Sequence, residues 1–282
     1  MTTVLRYAAF TTTPDGGNKA GVVPQAAGLT DDRMLAIAAE LGYSETAFLT
    51  PAPQGPDRTY AVRYFAPTLE VPFCGHATIA AAVAMAELEG PGDLLFETRA
   101  GSVPVAVVAG PDGVLRATLT SVEPHVLDVE PADLAEALAA LDWSAADLDP
   151  ALPPRIAYAG ARHLVLAAAT RERLADLAYD FDRLAAFMTA RDLVTLQLVW
   201  RASATVFHAR DPFPVGGVVE DPATGAAAAA FGAYLRELGE AVGDTELTLH
   251  QGEDLGSPGE LTVTLSAGDA RVRVSGAAVR LP

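Results

Sequence analysis

Apolar and polar positions along the chain alternate between two periods. Met34, Leu35, Ile37, Ala38 and Leu41 recur at the spacing of one helix face. Thr30 stands where an N-cap belongs, Asp31 and Asp32 fill the first turn, and Gly42 follows the last periodic residue. A second amphipathic helix is predicted over Pro131 to Leu141, with further helices near Arg171 to Leu177 and Asp182 to Thr189. Two stretches are apolar on every side, Ala77 to Met85 and Ala226 to Leu235, which predicts small-residue helices enclosed by other structure. Period-two or continuous apolar runs predict strands at Val4 to Phe10, Tyr43 to Thr50, Tyr60 to Phe65, Leu94 to Thr98, Ser102 to Ala109 and Val114 to Ser121. The later set is Arg162 to Ala168, Val194 to Trp200, Ala204 to His208, Leu247 to Gln251, Leu261 to Leu265 and Arg271 to Ser275. Trp143 to Pro154, rich in Pro, Asp and Ala, reads as a loop.

The two alanine-rich helices are introduced by the same phrase. Glu70-Val71-Pro72-Phe73-Cys74-Gly75-His76 is echoed 150 positions on by Glu220-Asp221-Pro222-Ala223-Thr224-Gly225-Ala226. A repeat of that period is a duplicated domain rather than a solenoid. The pattern predicts an α+β fold of two pseudo-symmetric domains, each a curled, mostly antiparallel sheet around one central helix. The expected boundaries are 1–122 and 123–270, with 271–282 packing back onto the first domain. In each copy Pro sets the approach, Gly lets the backbone turn, and the small residues after it leave the helix N–H groups open to an anion. Two such starts facing one interdomain cleft suit a small anionic metabolite.

Composition narrows the classes. The net charge of −17 over 282 residues argues against nucleic acid and anionic membrane as partners. One Cys allows neither an internal disulfide nor a zinc–thiolate cluster, and His125, His163, His208 and His250 show no metal-ligand spacing, so no metal is expected. Without a signal peptide or a membrane-length apolar run, the expected location is cytoplasmic. Lys19 is the single lysine and lies in a turn cluster, which leaves pyridoxal phosphate no Schiff-base partner of the usual kind. Walker, dinucleotide-binding and nucleophile-elbow motifs are absent, so no cofactor is expected.

Candidate chemistry sits near the repeat. On the strand from Tyr43, alternation places Glu45 with Tyr43, Ala47 and Leu49 on the more apolar face, and Ser44, Thr46, Phe48 and Thr50 on the other. Glu45 is there either a desolvated carboxylate suited to proton abstraction or an edge-strand residue reaching water. His76 begins its helix and either meets a substrate carboxylate or bonds a neighbouring loop. Asp221 is either a helix cap or part of a site. Cys74 reads as a small buried thiol or as a lone nucleophile beside His76, although residues two apart at a helix start need not meet.

Several stretches together resemble the phenazine-biosynthesis PhzF-like family, which shares the diaminopimelate-epimerase fold. They are Phe10 to Val23 with Gly17-Asn18, Ser44 to Leu49, Pro72 to Thr78, Arg162 to Val165, Glu220 to Gly225, and Gln251-Gly252. The resemblance covers nearly the whole chain. It implies a homodimeric, cofactor-independent isomerase or epimerase with its site at the domain interface. By motif, Glu45 takes the acid/base position, and His76 and Asp221 take substrate-binding and proton-handling positions. Asn18, Cys74, Gly75, Thr224, Gly225 and Ala226 line the expected substrate site. Thr224 stands where the related two-thiol epimerases place a second cysteine, which excludes that chemistry. Two departures stand out: Ala226 replaces a frequent Ser, and Gly256-Ser257-Pro258 replaces a Gly-Arg-Pro. They favour a different or less anionic ligand than the phenazine precursor, and they also admit a catalytically weak metabolite-binding dimer.

Overall fold

The computed structural model describes residues 2–52 and 56–282. They form two units, residues 2–120 with Ser275–Pro282, and Ser121–Val274.

In the first unit the strands are β1 Leu5–Ala9, β2 Asn18–Val23, β3 Glu45–Pro51, β4 Thr59–Phe65, β5 Glu70–Val71, β6 Gly92–Thr98, β7 Gly101–Ala109 and β8 Leu115–Thr120. Helix α1 is Asp31–Leu41 and α2 is Gly75–Glu89. β2 pairs β1 antiparallel and β3 parallel; β4 pairs β3 and β5 antiparallel and β6 parallel; β7 pairs β6 and β8 antiparallel. Thr30 caps α1 by accepting from the Arg33 N–H, and Gly42, at φ 68°, ends it by donating to Ala38. Helix α1 lays Met34, Ile37 and Ala38 on Phe48, Phe65 and Val23. Thr46 and Phe48 are buried as deeply as Ala47 and Leu49. The face expected to be the less apolar is thus covered by α1. β3 lies between β2 and β4 with both faces packed, and such strands lose their alternation.

The second unit repeats the plan. Its strands are β9 His125–Asp128, β10 Arg155–Tyr158, β11 Arg162–Ala167, β12 Thr195–Arg201, β13 Val206–Pro212, β14 Glu220–Asp221, β15 Thr245–Gln251, β16 Gly259–Ser266 and β17 Asp269–Arg280. Its helices are α3 Pro131–Leu141, α4 Arg171–Ala175, α5 Phe181–Ala190 and α6 Gly225–Glu237. β11 pairs β10 antiparallel and β12 parallel; β13 pairs β12 and β14 antiparallel and β15 parallel; β16 pairs β15 antiparallel. Strand for strand, β10 to β16 reproduce the pairing senses of β1 to β7. Where a strand was expected to stop at His208, β13 continues to Pro212, and the charged Arg210 and Asp211 in it are buried. β9 and β10 were not expected; they pair with each other across Arg155↔Asp128 to Tyr158↔His125. β17 outruns the expected Arg271 to Ser275, and its end pairs β1 at Tyr7↔Arg280 and Ala9↔Ala278 within the first unit.

Each unit wraps one helix. From His76 to Ala86 every residue of α2 is buried, and α6 is buried at ten of its thirteen positions. Helix α2 packs on β1, β2, β3, β7 and β8, and α6 on β9, β10, β11, β12 and β16. Alanine and glycine let the strands come this close. A Cβ built on Gly232 would lie 2.7 Å from Val263, 3.1 Å from Val272 and 3.3 Å from Leu265. Two of those neighbours are β-branched and stiff. Gly232→Ala would gain helix propensity of about 1 kcal/mol but overpack at a cost of about 1–3 kcal/mol. The expected outcome is a lowered melting temperature; a rise would mean that the β16 and β17 side chains give way freely.

Candidate functional site

The echoed Glu-x-Pro phrase has a structural job in both units. Glu70 accepts from Arg63 on β4, at 2.8 Å from Nε and 2.6 Å from Nη2. Glu220 accepts from Arg210 on β13, at 3.1 Å from Nε, with a further bond from Nη2. Each pair ties the approach of the helix to the neighbouring strand, so these two glutamates brace the helix start. The helix starts themselves carry neither a side-chain cap nor an acidic residue in the first turn. Asp221 stands three residues before the N-cap Thr224, and its Oδ2 accepts from the Thr224 hydroxyl at 2.6 Å.

In the first unit the α2 start meets the beginnings of two parallel strands. Asn18 opens β2, Glu45 opens β3, and the ring of His76 lies among them. Asn18 Nδ2 is 3.1 Å from His76 Nδ1, and Ser44 Oγ is 3.2 Å from Nε2. Glu45 Oε2 is 3.4 Å from the same Nε2. The amide nitrogen of Asn18 donates, so Nδ1 accepts and the ring proton belongs on Nε2, facing Ser44 and Glu45. Cys74 and His76 do meet: Sγ lies 3.4 Å from Nδ1, and Sγ also donates to Glu45 Oε2 at 3.4 Å. The backbone explains it, because Cys74 is extended, at φ −146° and ψ 118°, while His76 is already helical. Ser44 reaches His76 from the same side as Glu45 because it precedes β3, where strand alternation does not yet apply.

Burial raises the Glu45 carboxyl above its ordinary value, opposed in part by hydrogen bonds from Ser44 and Cys74. With 16% of its side chain exposed, Glu45 is neither an edge residue in water nor sealed from a ligand. A carboxylate of raised proton affinity, held by directional donors, is suited to taking and returning a proton.

The second unit holds the matching positions without the same chemistry. Thr195 opens β12 as Glu45 opens β3, Thr224 precedes α6 as Cys74 precedes α2, and Ala226 stands where His76 stands. Gln251 organises this start. Its Nε2 donates to the Asp221 carbonyl at 2.8 Å and to Thr224 Oγ1 at 3.1 Å, and its Oε1 accepts from the Thr224 N–H at 3.1 Å. Behind them is a buried polar row that the sequence reading did not pick out. His163 Nδ1 bonds Thr195 Oγ1 at 2.8 Å, and Thr195 reaches Asp211 Oδ2 at 3.5 Å. The Gln197 amide, with its nitrogen toward Asp211, donates to both carboxyl oxygens at 3.0 and 3.1 Å. Burial raises Asp211 well above the usual carboxylate range, opposed by the Thr224 and Thr195 hydroxyls. The placement of Arg210-Asp211 at the register of Arg63-Tyr64 is the signal that could have revealed it.

His163 gives a pH prediction. Complete burial depresses it from 6.5 to about 3. The folded chain keeps it neutral while the unfolded chain gains a proton below about pH 6.5. Its stabilising contribution is therefore complete above that value and is lost as pH falls toward the folded value. Between about pH 7 and about pH 4 the chain should lose about 3 kcal/mol that His163→Gln does not lose. Urea midpoints at the two pH values measure it; equal losses would place the titrating group elsewhere.

Among the described residues, no helix is long and apolar enough to cross a membrane. The chain matches the family described as phenazine biosynthesis-like protein, PhzC-PhzF, over residues 7–281. It is 35% identical over 289 residues to an uncharacterized isomerase of Deinococcus radiodurans, covering 96% of this chain and 89% of that one. Among solved structures, a PhzF-family phenazine biosynthesis protein of Bacillus anthracis superposes with a TM-score of 0.88 at 26% identity, covering 99% of this chain and 96% of that one. A predicted epimerase of Pseudomonas aeruginosa gives 0.86 at 28% identity, covering 100% of this chain and 98% of that one. The duplicated sheets around buried helices agree with this kinship, and the chain is an isomerase-class member of the phenazine biosynthesis-like PhzC-PhzF family.

Proposed function

We propose that the chain moves a proton between positions of a small, carboxylate-bearing metabolite, without a cofactor and with Glu45 as the acid/base. The observation that carries this reading is Glu45 itself: a carboxylate raised by burial, receiving the Cys74 thiol and facing a histidine whose proton is directed at it.

A carbon next to an unsaturated or carboxylated centre gives its proton to Glu45. The electron pair left behind delocalises toward the substrate carboxylate. The α2 start at Gly75-His76 offers N–H groups and a positive dipole end to that charge. Glu45 then returns the proton to another carbon, or to the other face of the same one, so the product is an isomer and no electron is gained or lost. The Nε2–H of His76, facing Ser44 and Glu45, sets the orientation of the base. Asn18 fixes the ring and Cys74 donates to the base. In the second unit Asp221 is held by Thr224 and Gln251, and Gly225 and Ala226 offer backbone only. A homodimer is part of this reading.

A thermal-shift screen of small cyclic and amino-acid-like carboxylates, followed by proton NMR in heavy water, tests it. The expected result is a ligand that raises the melting temperature and loses one carbon-bound proton signal at a rate proportional to protein. Ligands that bind without exchange would replace this reading with that of a metabolite-binding protein, and Ala226→Ser and Ser257→Arg would be the first changes to restore activity.

A further inference from the structure

Glu45 Oε2, Cys74 Sγ and His76 Nε2 form a triangle with sides of 3.4, 3.4 and 3.8 Å. Tetrahedral zinc, with bonds of about 2.0–2.3 Å, separates its ligands by about 3.3–3.8 Å. The three separations therefore match those of one face of a zinc tetrahedron, with the fourth corner left to water or a ligand, and Sγ, which rests nearer Nδ1 at 3.4 Å, swings toward the Nε2 lone pair by rotation of the Cys74 side chain as the cation binds. A thiol, an imidazole and one carboxylate are the donor set of a soft or borderline cation, and not that of magnesium or calcium.

We propose that Glu45, Cys74 and His76 bind a divalent cation of the zinc class, and that occupying this site switches the isomerase off. Binding through Nε2 requires the ring proton to move to Nδ1. Asn18 already contacts Nδ1 at 3.1 Å, and turning its amide offers Oδ1 to accept that proton, the support that a metal-bound histidine ordinarily has. The Cys74 thiol loses its proton to solvent as the sulfur–metal bond forms, so each cation bound releases one proton, plus any proton resident on Glu45. The carboxylate lone pair then serves the cation and is withdrawn from substrate. The loss of activity rests on Glu45 being the base; the binding does not, and is measured without substrate.

The test is calorimetric titration of the metal-free protein with Zn²⁺ in two buffers of different ionisation enthalpy, together with Co²⁺ absorption spectra. The expected result is one equivalent bound with release of about one proton, and a thiolate-to-cobalt band in the near ultraviolet. Cys74→Ser, which keeps a small buried side chain, should abolish the band. Asn18→Ala should weaken Zn²⁺ about tenfold or more through loss of the support to His76. His208→Ala, which removes a surface histidine paired with Glu253, should change neither readout. The proposal is overturned if no cobalt–thiolate band forms. It is equally overturned if the Zn²⁺ equivalent survives Cys74→Ser and disappears in His208→Ala. A cation that binds as described but leaves proton exchange at full rate would remove Glu45 from the chemistry while leaving the site standing.

Discussion

Glu45→Gln should lower proton exchange into the substrate by about 10²- to 10⁴-fold, the usual contribution of a positioned acid/base group. The amide keeps the shape and can still accept from Cys74, so the ligand-induced thermal shift should survive. The pH profile of the unmodified protein supplies a second check. The base must be ionised, and burial raises Glu45, so activity should rise with pH along a limb displaced above the ordinary carboxylate range. Stability should move the other way. A carboxyl raised by folding contributes stability below its unfolded value and loses it as pH rises through its folded value. At neutral pH Glu45→Gln should therefore be at least as stable as the parent while inactive, a separation that a merely misfolded variant would not show. Full exchange in Glu45→Gln would sink the proposed function.

Arg210→Met is expected to cost about 3–5 kcal/mol, the largest stability loss foreseen, because it leaves Glu220 in the interior without its cation. The Glu220 side chain is wholly buried and that of Arg210 is 10% exposed. Burial raises Glu220 even with Arg210 beside it, so desolvation outweighs the attraction. Such a pair costs little to replace as a whole and much to break. Arg210→Met with Glu220→Leu should recover most of the loss. In the single variant the deficit should shrink as pH falls, since the folded chain can then take a proton onto Glu220. The counterpart Arg63→Met should cost less, because Arg63 is 29% exposed and water can serve Glu70. Urea unfolding of the variants decides it; a loss below about 1 kcal/mol for Arg210→Met would show the interior admitting water there.

What was legible in the sequence was what repeats locally. Helix α1 announced itself through Thr30, its apolar face and Gly42, and the two buried helices through their lack of any polar face. The duplication was visible because both copies keep Glu-x-Pro-x-x-Gly, although its meaning was not: the glutamates are braces for Arg63 and Arg210, and the partner of Glu220 lies ten residues upstream on another strand. β13 was cut short in the reading because Arg210, Asp211 and Pro212 do not look like a buried strand until their partners are known. The two-faced view of β3 failed because α1 covers the side that carries Thr46 and Phe48. Glu45 and His76 stood out by motif and by the apolar company of Glu45, and the structure brings their side chains to 3.4 Å. The contact of Cys74 with His76 needed the backbone change from extended to helical within two residues, and Ser44 needed the point at which β3 begins.

The pairing of β17 with β1 bears on how the chain is made. Phe10 donates to Ala277 at 2.7 Å, and Leu281 donates to Arg6 at 2.8 Å, so the first strand of the first unit closes on residues translated after all of the second. During vectorial synthesis the first unit emerges with the β1 edge of its sheet unpaired and stays so while about 150 further residues are added. An exposed edge of apolar backbone is a template for mispairing. The nascent first unit is thus the stage most dependent on chaperone shielding, and loss of Ser275–Pro282 should trap it in an aggregation-prone form while leaving the second unit's interior intact.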